Sequence, residues 1–172
     1  MLALPKKWKN YELFKQEELK GSMQYKNFFE YTAQIQINNS EPYNIKYKMS
    51  WGNSRFELSQ NENVLGQMRM NLNWKNDVLI TLPDAPEFKI VSKSGLRQRY
   101  FLENQNTGEQ FEIKRKYNWR KMSYAYEFAD SNAAQYELLC LMSVYAVNNM
   151  DQKLLGILAV SIPLIEILIN GI

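Results

Sequence analysis

Histidine is missing from this chain altogether, which excludes a histidine general base, a Ser-His-Asp triad and a His-ligated metal. The single cysteine, Cys140, has no second thiol with which to form an internal disulfide. Nothing therefore calls for an oxidising compartment, and a cytoplasmic setting is expected. Glycine is scarce at seven residues, and none lies in a loop of the kind that cradles phosphate. Paired-carboxylate and metal-ligand spacings are missing as well, so no enzymatic activity, metal or cofactor is expected. The opening MLALPKKWKNYELF lacks an apolar core of signal-peptide length, so export by a cleaved signal is not expected. Neither sign of charge is in excess: a net charge of +3 disfavours nucleic acid as a partner but suits an anionic membrane surface.

What the chain does have is aromatic residues and alternation. Aromatics make up 13 % of it, enough for a large core and hard to reconcile with disorder. Tyr31, Ala33, Ile35 and Ile37 alternate with polar residues, as do Tyr43, Ile45, Tyr47, Met49 and Trp51. Period two marks a strand with one buried and one wet face. SRFELS leads through the polar turn Gln60 to Asn63 into a segment with Val64, Gly66, Met68, Met70 and Leu72 on one side, a hairpin. Val78, Ile80 and Leu82 form a short strand ended by Pro83. Phe88 and Ile90 begin another that turns at Ser94-Gly95, and RQRYFLE and QFEIKRK form a second hairpin across Asn104 to Gly108. Met122, Tyr124, Tyr126 and Phe128 complete the series. About nine to eleven strands at such spacing point to a sandwich or barrel.

The segment NAAQYELLCLMSVYAVNNM differs in kind. As a helix over 133–148 it is apolar round most of its circumference, so it must be surrounded. With so many strands upstream, the economical arrangement is mainly β: a closed antiparallel barrel around this helix, with binding left to the outside or a rim. Residues 1–24 read as a short strand or helix packed on the barrel exterior, 25–150 as the barrel with its helix, and 151–172 as an apolar extension.

The FELSQNENVLGQM hairpin, KRKYNWRKMSYAYEF followed by Ala129-Asp130, and the ELLCLMSVYAV helix together resemble the tubby C-terminal-like superfamily, in particular its phospholipid-scramblase-like and LURP-one-related branches. The resemblance spans roughly Tyr43 to Met150. It implies a closed barrel of about twelve antiparallel strands around one buried helix. It also implies association with membranes, through basic residues that bind phosphoinositide head groups. The chain departs from animal scramblases in lacking a Pro-rich N-terminal region, a cysteine cluster and an EF-hand-like acidic loop, so calcium-activated scrambling is not implied.

The leading candidate site is Lys114, Arg115, Lys116, Trp119, Arg120 and Lys121. These cations interleaved with aromatics would hold an anionic lipid head group at a membrane interface. The alternative is a solvated hairpin end whose charges protect a sheet edge. Lys6, Lys7 and Lys9 around Trp8 allow the same two readings. The second candidate is the apolar block 154–169, with Leu154, Leu155, Ile157, Leu158, Ile162, Leu164, Ile165 and Leu168. As a helix it would reach about 24 Å against a hydrocarbon thickness of about 30 Å, and Pro163 and Glu166 interrupt it. It is expected to dock on the barrel or contact a protein partner or second copy, with an interfacial anchor as the other reading. Cys140, between two leucines, reads as a buried structural thiol, and Asp130, Ser131 or Asn132 as the cap of the helix. The expected whole is a non-catalytic module bound to anionic phospholipid or a membrane-bound partner, peripheral to the inner face of a membrane. An assembly subunit is the alternative.

Overall fold

The computed structural model describes residues 1–6, 10–27, 31–50, 53–70, 77–83, 85–93, 99–129 and 136–151. Among them are twelve strands: β1 (Leu2–Pro5), β2 (Tyr11–Lys15), β3 (Glu18–Asn27), β4 (Thr32–Ile37), β5 (Tyr43–Ser50), β6 (Asn53–Gln60), β7 (Asn63–Met70), β8 (Val78–Thr81), β9 (Phe88–Lys93), β10 (Arg99–Asn104), β11 (Gln110–Asn118) and β12 (Ser123–Phe128). Each pairs antiparallel with the next, and β12 returns to β1, so the sheet closes into a barrel. Closure removes the unpaired edge that an open meander would expose. The seam is short, pairing Leu2 with Glu127 and Ala3 with Tyr126. The N-terminal ammonium reinforces it by donating to the Phe128 carbonyl at 3.1 Å.

Tight turns make the meander possible. Gln16-Glu17 and Asn61-Glu62 each place both central residues at positive φ, the twist that two-residue hairpins require. At the β10–β11 turn Gly108 adopts φ 73, and the Asn104 side chain accepts from the backbone N–H of Asn106 and Thr107.

Residues 137–151 form the helix α1. Every residue from Leu139 to Met150 is buried, Cys140 at 1 % exposure, and the lumen-facing side chains of the wall, among them Leu13, Met23, Ile35, Leu58, Ile80 and Phe88, close on it. An apolar helix inside an apolar lumen is the sequence expectation realised, and each Leu, Ile, Val or Met so enclosed contributes about 1.5–3 kcal/mol. Gly21 permits a close approach: a Cβ there would lie 3.2 Å from Leu141 Cδ1 and 2.7 Å from the Gln36 carbonyl oxygen.

Three expectations shift. The described residues of 1–24 do not pack on the exterior; β1, β2 and β3 are staves of the wall, because they supply the backbone partners that close it. Val64 is 62 % exposed, although alternation put it with Met68 and Met70. Leu58 pairs with Gly66 but Ser59 with Val64, so Leu65 is an extra residue that reverses the facing of what precedes it. The helix begins later than 133–148 would have it and runs past Asn148 as far as Asp151, where the described residues stop. Its first bond runs from Cys140 N–H to the Tyr136 carbonyl, so Tyr136 is the N-cap; further along, Asn148 Oδ1 accepts from Tyr126 Oη and Asn149 Nδ2 donates to the Tyr145 carbonyl of the same helix. The expected caps Asp130, Ser131 and Asn132 lie outside the described residues, as does the block 154–169.

A candidate anion-binding groove on the outer wall

Period two divides the basic run. Along β11, Ile113 and Arg115 face inward while Lys114 and Lys116 face out. Arg115 lines the groove described below, but its guanidinium is turned inward. Its Nη1 donates to Asp151 Oδ2 at 2.6 Å, and its guanidinium lies 4.9 Å from the Tyr100 ring centroid and 4.7 Å from that of Tyr124. Tyr100 Oη donates to the other Asp151 oxygen, and burial, followed by that hydrogen bond, pushes the Tyr100 hydroxyl upward.

Outside, a groove of about 590 Å³ runs between β11 and β1. Its shape follows from the register. Lys116 stands opposite Ala125 on β12, and Ala125 lies beside Leu4 on β1, so one methyl separates two taller rows. Lys114, Lys116, Trp119 and Arg120 line one side, Leu2 and Leu4 the other, with Glu127 beside Lys114. The four sequence-predicted residues Lys114, Lys116, Trp119 and Arg120 are therefore brought together. Lys121 sits in the same turn without lining the groove.

The β11–β12 turn is anchored by Asn118, whose carbonyl and side-chain oxygens accept from the Lys121 N–H at 3.2 and 3.1 Å. Trp119 projects from it at 79 % exposure, packed edge-on against Tyr117 at 4.7 Å, and Tyr117 in turn meets Tyr124 at 5.1 Å. A large indole is thus held toward solvent by an aromatic stack rather than by burial. Across the ridge of Leu2 and Leu4, each 38 % exposed, a second groove of about 660 Å³ is lined by Phe14, Glu17 and Phe128 among others.

Leu2, Leu4 and Ala125 are the members that sequence reading missed. In LALP the leucines alternate with Ala3 and Pro5, and hydrophobic patterning would turn the leucines inward; the reverse occurs. At the other end, Lys6 pairs with Glu12. Residues 7–9, and with them Trp8, lie outside the described residues.

Elsewhere the buried polar groups are structural. Asn148 Oδ1 accepts from Tyr126 Oη at 2.7 Å and Tyr11 Oη at 3.5 Å, and Tyr11 Oη also lies 2.9 Å from Ser123 Oγ. The Cys140 thiol is pushed up to about 12, its burial outweighing the opposing pull of the N-terminal ammonium, so it is not activated as a nucleophile. Glu137 lies half-buried at the start of α1. Among the described residues no cluster of three His, Cys, Asp or Glu side chains is placed to hold a metal ion, and no helix is long and apolar enough to cross a membrane. Outward positions such as Gln36, Lys46, Lys48, Arg55, Arg69 and Glu127 are exposed and polar, unlike the lipid-facing side of a membrane barrel. Comparison with protein-family models, curated proteins and solved structures finds no match.

Proposed function

We propose that the protein is a non-catalytic binding module that associates peripherally with anionic phospholipid head groups. The observation that carries this reading is the outer groove, where Lys114, Lys116 and Arg120 stand across from Leu2 and Leu4 beneath an exposed Trp119. Cations over an apolar floor suit a ligand with a negative head and hydrocarbon behind it, and an indole held in water suits the interfacial layer. A lumen filled by α1 supports placing the ligand on the outer wall. Twelve staves around one apolar helix also support kinship with the tubby-like barrels, which belongs to the same proposal.

Each Lys or Arg near an anionic surface contributes about 1 kcal/mol, so binding should be weak and salt-sensitive. In flotation with phosphatidylcholine–phosphatidylserine vesicles at low salt the protein is expected to rise with the lipid. It should stay behind with phosphatidylcholine alone or at high salt. Lys114→Glu combined with Lys116→Glu should lower the bound fraction about tenfold or more. Equal binding to neutral vesicles, or none to anionic ones, refutes the reading.

The alternative is an assembly subunit, favoured by the apolar Leu2–Leu4 ridge between two grooves. Leu2→Ser with Leu4→Ser, followed by size-exclusion chromatography of the full chain, tests it: a lost oligomer or partner supports it, and an unchanged mass counts against it.

A further inference from the structure

We propose that the outer groove selects phosphatidylserine among anionic lipids, holding the serine zwitterion between Lys114 and Glu127 and the phosphate between Lys116 and Arg120. This rests on the lipid reading above and names the head group. Lys114, Glu127 and Leu2 stand side by side on β11, β12 and β1, and all three are exposed. The next outward row is Lys116, Ala125 and Leu4, about 7 Å closer to the β11–β12 turn that carries Trp119 and Arg120. From the seam to the turn the groove thus offers a cation with a carboxylate, then a cation beside a methyl, then an indole with a guanidinium.

Glu127 separates this site from a plain basic patch. A carboxylate in the wall repels a head group charged with one sign only, such as phosphatidylglycerol, phosphatidic acid or an inositol phosphate. Among the described residues Lys114, Lys116, Arg120 and Glu127 form no ion pair, whereas Lys6, Lys20, Arg55, Lys89 and Arg115 each do. Lys114 and Glu127 face each other across the β11–β12 ladder without closing on one another, so both charges are open to a third group. Opposite charges side by side are the complement of an α-amino acid, whose ammonium and carboxylate share one carbon.

The order of groups along the groove matches the order along the lipid, which runs from hydrocarbon through phosphate to the amino acid. Trp119, 79 % exposed, marks the interfacial end. Arg120 and Lys116 follow it at the level of the phosphate, and Lys114 with Glu127 at the level of the serine. Ala125 leaves the room between them, since its methyl lies between two taller rows. Phosphatidylethanolamine in the same place leaves Lys114 without a carboxylate, and phosphatidylglycerol leaves Glu127 without an ammonium. Free O-phospho-L-serine has the same polar chemistry. Leu2, Leu4 and Trp119 favour the lipid as its source, because the free compound has no apolar part to cover them.

Flotation of the full chain with phosphatidylcholine vesicles carrying equal mole fractions of phosphatidylserine or phosphatidylglycerol reads the preference at matched surface charge. Partitioning onto phosphatidylserine should be about two- to fivefold stronger, the scale of one exposed ion pair. Glu127→Gln should bring that ratio to about one, because the carboxylate that repels phosphatidylglycerol and holds the serine ammonium is gone. At matched ionic strength O-phospho-L-serine should release the protein from phosphatidylserine vesicles at lower concentration than inorganic phosphate does. Equal partitioning of the unaltered chain onto both vesicles, or a preference that survives Glu127→Gln, overturns the serine assignment while the lipid reading stands. Partitioning onto neither vesicle removes the lipid reading. In that event, amide shifts at 114–127 on adding O-phospho-L-serine assign the groove to the free compound, and unmoved amides remove the serine assignment too.

Discussion

The guanidinium of Arg115 pairs with Asp151 and lies against the rings of Tyr100 and Tyr124, so one substitution removes several contacts at once. Arg115→Met should lower stability by roughly 1–3 kcal/mol, since it leaves the half-buried Asp151 carboxylate without its cation. A urea titration reads this as a lower midpoint, and Arg115→Lys should recover only part of the loss because an ammonium lacks the planar fork. An unchanged midpoint would mean the pair contributes nothing. Cys140 gives a second test at this scale: an aromatic disulfide reagent should leave the native thiol unmodified and react only as the chain unfolds. Modification of native protein within seconds would place the thiol outside the lumen. The inward turn of Arg115 was legible in the sequence, since period two from Ile113 already sets it apart from Lys114 and Lys116. Counting the basic run as a block hid it.

Among the elements, strands with one apolar and one polar row were read well, because burial on a single face writes its period into the residues. β4 is of this kind, with Ala33 and Ile35 buried between Thr32, Gln34 and Gln36. The misreadings fall where that relation breaks. The bulge at Leu65 turned Val64 outward, and no local residue type marks a bulge that depends on the partner strand. In β1, for which the sequence alone gave no facing, the leucines face out and Ala3 faces in where the wall closes on β12. The groove was half legible for the same reason. Its cations are contiguous on β11 and the following turn, but its apolar side comes from a strand more than a hundred residues earlier, brought alongside only by closure. Gly21 on β3 tests how closely α1 is held: Gly21→Ala should cost roughly 1–3 kcal/mol through overpacking against Leu141 and the Gln36 carbonyl. Thermal unfolding of the variant gives the value, and no shift in midpoint would show that the helix sits further from β3.

The molecule as a whole is a plugged cylinder whose polar side chains in the lumen are mostly tyrosines and asparagines. Tyr11, Tyr25, Tyr100, Tyr126 and Tyr145 all hold their hydroxyl protons above the ordinary value of 10, burial being the first cause in each. The folded state thus binds these protons more tightly than the unfolded chain does. Their contribution is intact below pH 10 and is lost as pH rises beyond it, so the denaturation midpoint should fall on the alkaline side. A midpoint that holds steady well above pH 10 would contradict this enclosure of the tyrosines.

Filling the lumen is also what sends the ligand to the outer wall, and hydrogen exchange with and without phosphatidylserine-containing vesicles examines both halves of that statement together. Amides of residues 139–149 should be the slowest in the chain and should not change when lipid is added. New protection should appear instead in residues 2–4 and 114–122. Rapid exchange along 139–149, or protection gained there while the outer wall stays unchanged, would mean that the helix is not enclosed and that the lipid meets the helix rather than the groove.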